Sequence, residues 1–214
     1  EGILLVVPRG ADNEADVFGR RIPAVLHAHH HVVQTFRIDP ARTFVGGFSG
    51  GARLAQRVAL AWPDLFRGSL QFAGSVVVGE NLLPPPPRQW LDLARERSRF
   101  VLVSGTLDGP NRRNDAEADA RLQALCFAGV HRFGPPRLDH WMPDARGLAK
   151  ALAQLQAPVE PEAMRRCRED LDAEVERGLA AVQAQLAAGE ITGARDALVA
   201  LDRKSTRLNS SHRI

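Results

Sequence analysis

Short apolar runs alternate along the first 157 residues with segments in which apolar residues recur every three or four positions. The runs predict buried strands, and the recurring spacing predicts amphipathic helices. The predicted strands are 3–7, 43–47, 69–75, 100–105 and 130–133. The predicted helices are 22–36, 52–62, 115–127 and 143–155. Strands that alternate with helices indicate an α/β fold, in which helices cover both faces of a parallel sheet.

The pattern changes after Pro158. Apolar residues then keep a spacing of three or four over 164–186 and again, beyond Gly189, over 191–201. This periodicity predicts a long amphipathic helix followed by a shorter one. We therefore expect a catalytic or binding domain over 1–157 and a helical extension over 158–201. The extension is interpreted as a hairpin packed on the main domain, with half of a tetratricopeptide array as the alternative.

The positive charge lies in a short C-terminal tail. Residues 203–214 contribute +4 to the formal net charge of +3, so residues 1–202 sum to −1. This distribution argues against a nucleic-acid or membrane partner. Residues 202–212 also resemble a translated sequencing adapter, so we interpret 202–214 as a non-native tail. Because residue 1 is Glu, we expect the natural chain to start upstream.

The chain has two cysteines, Cys126 and Cys167. Two widely separated cysteines form neither a disulfide framework nor a metal motif. Both fall on apolar faces of predicted helices, so we expect them to be small core residues.

The segment Gly47-Phe48-Ser49-Gly50-Gly51 has the pattern G-x-S-x-G. In a nucleophile elbow this pattern holds a serine at a sharp strand-to-helix turn, where its hydroxyl is exposed and its φ is positive. A predicted strand precedes Ser49 and a predicted helix follows it. We expect the glycines at 47 and 51 to prevent clashes across the turn. A glycine-rich loop that binds phosphate is the alternative.

A serine nucleophile needs a base, and the base needs an acid that orients it. In the chain order of such enzymes, the acid follows the serine and the histidine comes last. Asp108 follows the fourth predicted strand, and His140 lies just before the helix at 143–155. Asp139 is a weaker candidate acid because it adjoins His140, and Asp115 is interpreted as a helix cap.

Other residues of the sequence are further candidates for chemistry near this site. His27 and His31 are one helical turn apart and offer a zinc site only as an alternative, since the sequence supplies no third ligand. Trp90, Trp141 and Met142 are candidates for the walls of a substrate pocket, or for ordinary packing.

The segment 38–75, which begins IDPARTFVGGFSGGARLAQ, resembles the α/β-hydrolase superfamily, and within it the polyhydroxybutyrate-depolymerase-like and feruloyl-esterase-like esterases. The resemblance covers residues 1–157. It implies a serine esterase without cofactor or metal, with Ser49 as nucleophile, Asp108 as acid, His140 as base and a small-molecule ester as substrate. A non-catalytic binding module, and an acyltransferase or peptidase with the same triad, are the alternatives.

In this superfamily the N–H of the residue after the nucleophile, here Gly50, forms half of the oxyanion hole. The other half comes from a loop after the family's third strand, which the sequence lacks. Since 3–7 matches the family's fourth strand, we expect half of the oxyanion hole to be missing. We also expect 3–7 to stand two strand spacings from 43–47, or to pair with it directly.

Overall fold

The computed structural model describes residues 2–79 and 83–205. This part of the chain forms a sheet of four parallel strands in the order β1-β2-β3-β4. The strands are β1 (Val45–Phe48), β2 (Gly68–Phe72), β3 (Arg99–Val103) and β4 (Val130–Phe133). The α/β prediction is confirmed. Because all four strands are parallel, their carboxyl ends meet at one edge of the sheet.

Seven α-helices accompany the sheet in the described residues. They are α1 (Ile22–Thr35), α2 (Gly50–Ala61), α3 (Arg88–Arg97), α4 (Gly109–Ala124), α5 (Ala145–Leu155), α6 (Pro161–Ala187) and α7 (Ile191–Ser205). Six of them match predicted helices, and α3 was not predicted. The sequence of α3 is strongly polar, and its apolar contribution to the core comes mainly from Leu91 and Ala94.

The strand β3 divides the main core into two layers. Phe100 and Leu102 face the layer that contains residues of α2, α3 and α4. Val101 and Val103 face the opposite layer, which contains residues of α5. Alternate residues of a strand point to opposite faces, so a continuous apolar run is required where both faces are covered. This arrangement confirms the predicted cover on both faces.

Helix α1 belongs to a third apolar cluster. Ile22 packs there with Leu54 and Val58 of α2 and with Phe66. The helix therefore packs against α2, the helix that follows Ser49.

The prediction for residues 3–7 is wrong. They form no strand and pair with none of the described strands, and the exposed fractions of Leu5 and Val7 are 83% and 76%. Neither expected arrangement, a strand two spacings from 43–47 or a strand paired with it directly, is therefore present. Within the described residues β1 pairs only with β2, so one of its edges is open. An apolar run predicts a buried strand, but the strand forms only where a neighbouring strand is available to pair with it.

The C-terminal helices form the predicted hairpin. Gly189 has a φ of +78° at the turn between α6 and α7. Among the described side chains of α6 and α7, three are buried: Val182, Ala194 and Leu201. The two helices therefore have a small apolar seam of their own. Arg168 of α6 also forms ion pairs with side chains of α3.

The expectation for the cysteines is wrong. Cys126 and Cys167 form a disulfide across a sequence separation of 41. Cys126 lies just past the end of α4 with a φ of +65°, and Cys167 lies in α6. The bond thus attaches the helical extension to the sheet domain.

The interpretation of 202–214 as a foreign tail falls mostly outside the described residues. Residues 202–205 continue α7, and 206–214 are not described. None of the described helices combines the length and apolar character that crossing a bilayer requires.

Candidate active site

Ser49 lies at the turn between β1 and α2, where the chain reverses sharply. Its φ is +52°, the left-handed region that side chains rarely adopt. Its backbone N–H donates to the carbonyl of Phe72 at 2.8 Å, and its carbonyl accepts from Ala52 at 3.0 Å. These bonds hold Ser49 at the carboxyl edge of the sheet, as the G-x-S-x-G pattern predicts.

The two outer glycines of the motif, Gly47 and Gly51, differ in the space that a side chain would have. A Cβ on Gly47 would overlap the carbonyl of Gly51 and would stand 2.9 Å from the nitrogen of Ala52, so only glycine fits there. A Cβ on Gly51 would meet nothing within 4 Å. The expectation that both glycines prevent a clash is therefore correct for Gly47 and wrong for Gly51.

His140 connects the other two predicted residues. Its Nε2 lies 3.1 Å from Oγ of Ser49, and its Nδ1 lies 2.8 Å from Oδ2 of Asp108. A carboxylate can only accept a hydrogen bond, so we assign the ring proton to Nδ1, which donates a hydrogen bond to Asp108, while Nδ2 of Asn111 lies 3.1 Å from the same nitrogen. Nε2 is then the acceptor that faces the Ser49 hydroxyl. The structure thus brings Ser49, His140 and Asp108 into one hydrogen-bonded line.

The loops that carry Asp108 and His140 are bonded to each other. The N–H of Leu107 donates to the carbonyl of Leu138 at 2.9 Å, and the hydroxyl of Thr106 accepts from the N–H of Arg137 at 2.8 Å. A Cβ on Gly105 would overlap Leu138. This close approach sets the separation between the acid and the histidine through the backbone.

Asp108 is buried and has a second role as the N-cap of α4. Burial by itself raises the pKa of Asp108, but hydrogen bonds from His140 and Asn111 outweigh it and hold the pKa below its ordinary value. The Asn111 side-chain amide donates to both oxygens of Asp108, at 3.0 and 2.9 Å. Asp108 is therefore fixed as a carboxylate that points at His140. Sequence reasoning missed Asn111, although its position three residues after Asp108 is where a helix cap would meet it.

Asp115 is not the helix cap that the sequence suggested. It lies inside α4, is 2% exposed, and accepts hydrogen bonds from the hydroxyls of Ser75 and Ser104, each at 2.6 Å. Burial raises the pKa of Asp115, and the two hydroxyls oppose that rise only in part. The carboxylate joins the segments that follow β2 and β3.

The remaining candidates lie apart from this line of residues. Nδ1 of His140 contacts Asp108 rather than the adjacent Asp139. In the cluster HAHHH, His29 packs its ring 5.1 Å from that of Phe66, and the described residues contain no group of three metal-ligating side chains. Trp141 directly follows His140 and is 73% exposed.

The site is open to solvent on the side of His140. The His140 side chain is 44% exposed, while that of Asp108 is 5% exposed. Phe48 supports the histidine from below, with a ring-centre separation of 5.0 Å. The imidazole of His140 is therefore accessible from solvent, while Asp108 is shielded from water.

The N–H of Gly50 is the predicted oxyanion donor. Gly50 begins α2, and the first N–H groups of a helix have no partner within it. The N-terminus of a helix also carries partial positive charge. The arrangement thus presents a backbone donor next to Ser49, where negative charge would develop if Ser49 attacked a carbonyl group.

None of the established protein-family profiles matches the chain. The chain is similar to an acetylxylan esterase of Coprinopsis cinerea, with 32% identity over 69 residues. The match covers 30% of this chain and 18% of that relative, so the chain spans only a small part of the relative's length. This distant, partial similarity to an esterase is consistent with an esterase-type hydrolase on an α/β scaffold.

Proposed function

We propose that the protein is a serine hydrolase of the α/β-hydrolase type that cleaves carboxylic esters. The observation that carries the proposal is the pair of contacts made by His140, 3.1 Å to Oγ of Ser49 and 2.8 Å to Oδ2 of Asp108. The positive φ of Ser49 supports the same interpretation, because strain of this kind persists where the surrounding structure requires it.

In the proposed reaction, Nε2 of His140 takes the hydroxyl proton as Ser49 Oγ bonds to the ester carbonyl carbon. Asp108 stabilises the imidazolium that forms, and the Gly50 N–H donates to the carbonyl oxygen as it becomes negative. His140 then returns the proton to the leaving alcohol as the ester C–O bond breaks. Water, activated by the same histidine, hydrolyses the acyl group from Ser49.

Short acyl esters are the substrate class we propose. The similar protein from Coprinopsis cinerea is named for an acetyl ester. The open, half-exposed His140 also suits a small acyl group on a larger alcohol, since the alcohol can remain outside the site. The simplest probe is therefore p-nitrophenyl acetate.

The test is covalent labelling of Ser49 with a fluorophosphonate, together with hydrolysis of p-nitrophenyl acetate. We expect the wild-type protein to label, Ser49→Ala to lose labelling completely, and His140→Ala to lose at least about 100-fold in rate because the general base is removed. His30→Ala is the matched control, since His30 is an exposed histidine of α1. An unlabelled wild-type protein would favour the binding-module alternative, and persistent labelling of Ser49→Ala would move the nucleophile elsewhere.

A further inference from the structure

The loop before α1 brings a side-chain amide to the start of α2. A Cβ on Gly50 would overlap Oδ1 of Asn13 and would stand 3.2 Å from its Nδ2. Asn13 therefore lies beside the residue whose N–H is the first oxyanion donor. This contact could not be predicted from the sequence, because 37 residues separate the two positions.

This contact places the Asn13 amide where a side chain at residue 50 would begin. Gly50 lies at the first position of α2 and does not have a positive φ, so its backbone conformation is open to any residue. Alanine would be more favourable than glycine in a helix. Glycine at this position leaves room for the exposed Asn13 amide, which a side chain at residue 50 would displace.

The orientation of the Asn13 amide is set by Arg21. The Arg21 side chain donates from Nη2 to Oδ1 of Asn13 at 3.2 Å. Arginine has donors only, so the oxygen of the amide must face Arg21 and the nitrogen must face away from it. Within residues 2–79 and 83–205, Nδ2 donates to no acceptor, so it can donate to a ligand.

The loop itself is held in place. The Asp12 carboxylate accepts from the N–H groups of Glu14 and Ala15, each at 3.1 Å. Arg21 is 6% exposed, so a buried side chain anchors the amide from behind. Asn13 is thus presented on a fixed turn and next to Gly50.

We propose that Nδ2 of Asn13 is the second oxyanion donor of this site. The proposal rests on the proposed serine-esterase function. During attack by Ser49, the substrate carbonyl oxygen would accept from the Gly50 N–H and from Asn13 together. The Asn13 side-chain amide then adds a donor on the side of Gly50 that faces the loop before α1.

The decisive variant is Asn13→Asp. It keeps an oxygen for Arg21 and has nearly the same shape, so the fold is retained, but it removes the donor and adds a negative charge. We expect kcat for p-nitrophenyl acetate to fall at least about 100-fold, as when one oxyanion donor is removed, with KM within about twofold. Asn13→Ala should lose less than Asn13→Asp, since it adds no repelling charge. Glu14→Gln, next in the same loop, is the control and should match the wild type.

The outcomes separate the two proposals. If the wild type hydrolyses the ester and Asn13→Asp keeps its kcat with an unchanged melting temperature, Asn13 is not an oxyanion donor and the esterase proposal stands. If the wild type neither hydrolyses the ester nor reacts with the fluorophosphonate, the esterase proposal fails and this inference fails with it. A loss of kcat in Asn13→Asp at an unchanged melting temperature supports both.

Discussion

The sheet domain and the helical extension are stabilised in different ways. In the sheet domain, large side chains such as Phe100, Leu102 and Leu122 have no exposed surface and pack in continuous layers. In the extension, the described buried side chains are few, and the link to the sheet domain includes the Cys126–Cys167 disulfide and ion pairs of Arg168. Burial of apolar surface is the main stabilising term in folding, whereas exposed ion pairs contribute little.

This contrast bears on function because every residue assigned to the proposed reaction lies in the sheet domain. Ser49, Asp108 and His140 follow β1, β3 and β4, and Asn13 precedes α1. The extension contributes none of them. It should therefore be possible to loosen the extension without loss of activity, and to destroy activity without loosening the extension.

Removing the disulfide should have the largest effect on stability. For a loop with a sequence separation of 41, the chain-entropy model gives about 4 kcal/mol of stabilisation. We expect Cys126→Ala/Cys167→Ala to lose up to this free energy of unfolding, to expose α6 and α7 to proteases, and to keep its esterase kcat. Urea unfolding, limited proteolysis and p-nitrophenyl acetate hydrolysis measure the three quantities.

The control for that experiment is thiol titration of the denatured wild type. Protein from an oxidising compartment, where disulfides persist, should have no reactive thiol before reduction and two after it. Two reactive thiols without reduction would contradict the disulfide, and loss of activity in the double variant would contradict the independence of the extension.

Gly47→Ala tests the second expectation, that activity can be destroyed without loosening the helical extension. Because a Cβ at 47 would overlap the Gly51 carbonyl, the elbow must move, and overpacking of this kind costs about 1–3 kcal/mol. We expect reduced stability together with loss of fluorophosphonate labelling, while the extension stays resistant to proteases.

Gly51→Ala is its matched control, since its Cβ would meet nothing within 4 Å. It should be as stable as the wild type or slightly more so, because alanine is the better helix former. Equal behaviour of the two variants would show that backbone approach at Gly47 does not shape the elbow.

The smallest effect should come from Asp115→Asn. Because the pKa of Asp115 is raised in the folded protein, its contribution to stability is present below its ordinary pKa of about 3.9 and is lost as pH rises through the raised value. Wild-type stability should thus fall relative to the variant above pH ~4, with a slope of at most about 1.4 kcal/mol per pH unit. Urea unfolding over a pH series measures this difference, and parallel profiles would contradict it.

The sequence was most informative where function constrains the backbone locally. The spacing around Ser49 predicted its positive φ, and the chain order predicted that Asp108 and His140 meet it at one sheet edge. The roles of these residues stay predictions until the labelling experiment is done. Asn13 carries no such signal, because a loop residue has no periodicity that would relate it to Gly50.

Other features could not be predicted because they depend on distances between remote parts of the chain. The disulfide requires the end of α4 and the middle of α6 to approach within the short Cα separation of 5.6 Å, which no spacing in the sequence encodes. Helix α3 was missed because Arg95, a residue typical of surfaces, is 1% exposed there. Its guanidinium binds the carbonyl of Leu125 and the carboxylate of Asp92.

The arrangement of the site along the chain also determines when its parts meet during synthesis. Ser49 and His140 are 91 residues apart, and a ribosome adding about 5–20 residues per second needs roughly 5–18 seconds to cover that interval. In the proposed mechanism, Ser49 has no base during this time and remains an ordinary alcohol. It would become reactive only when β4 has joined β3 and carried His140 to it. Esterase activity would then report that the last strand of the sheet has been added, and the nascent chain would be protected from acylation until then.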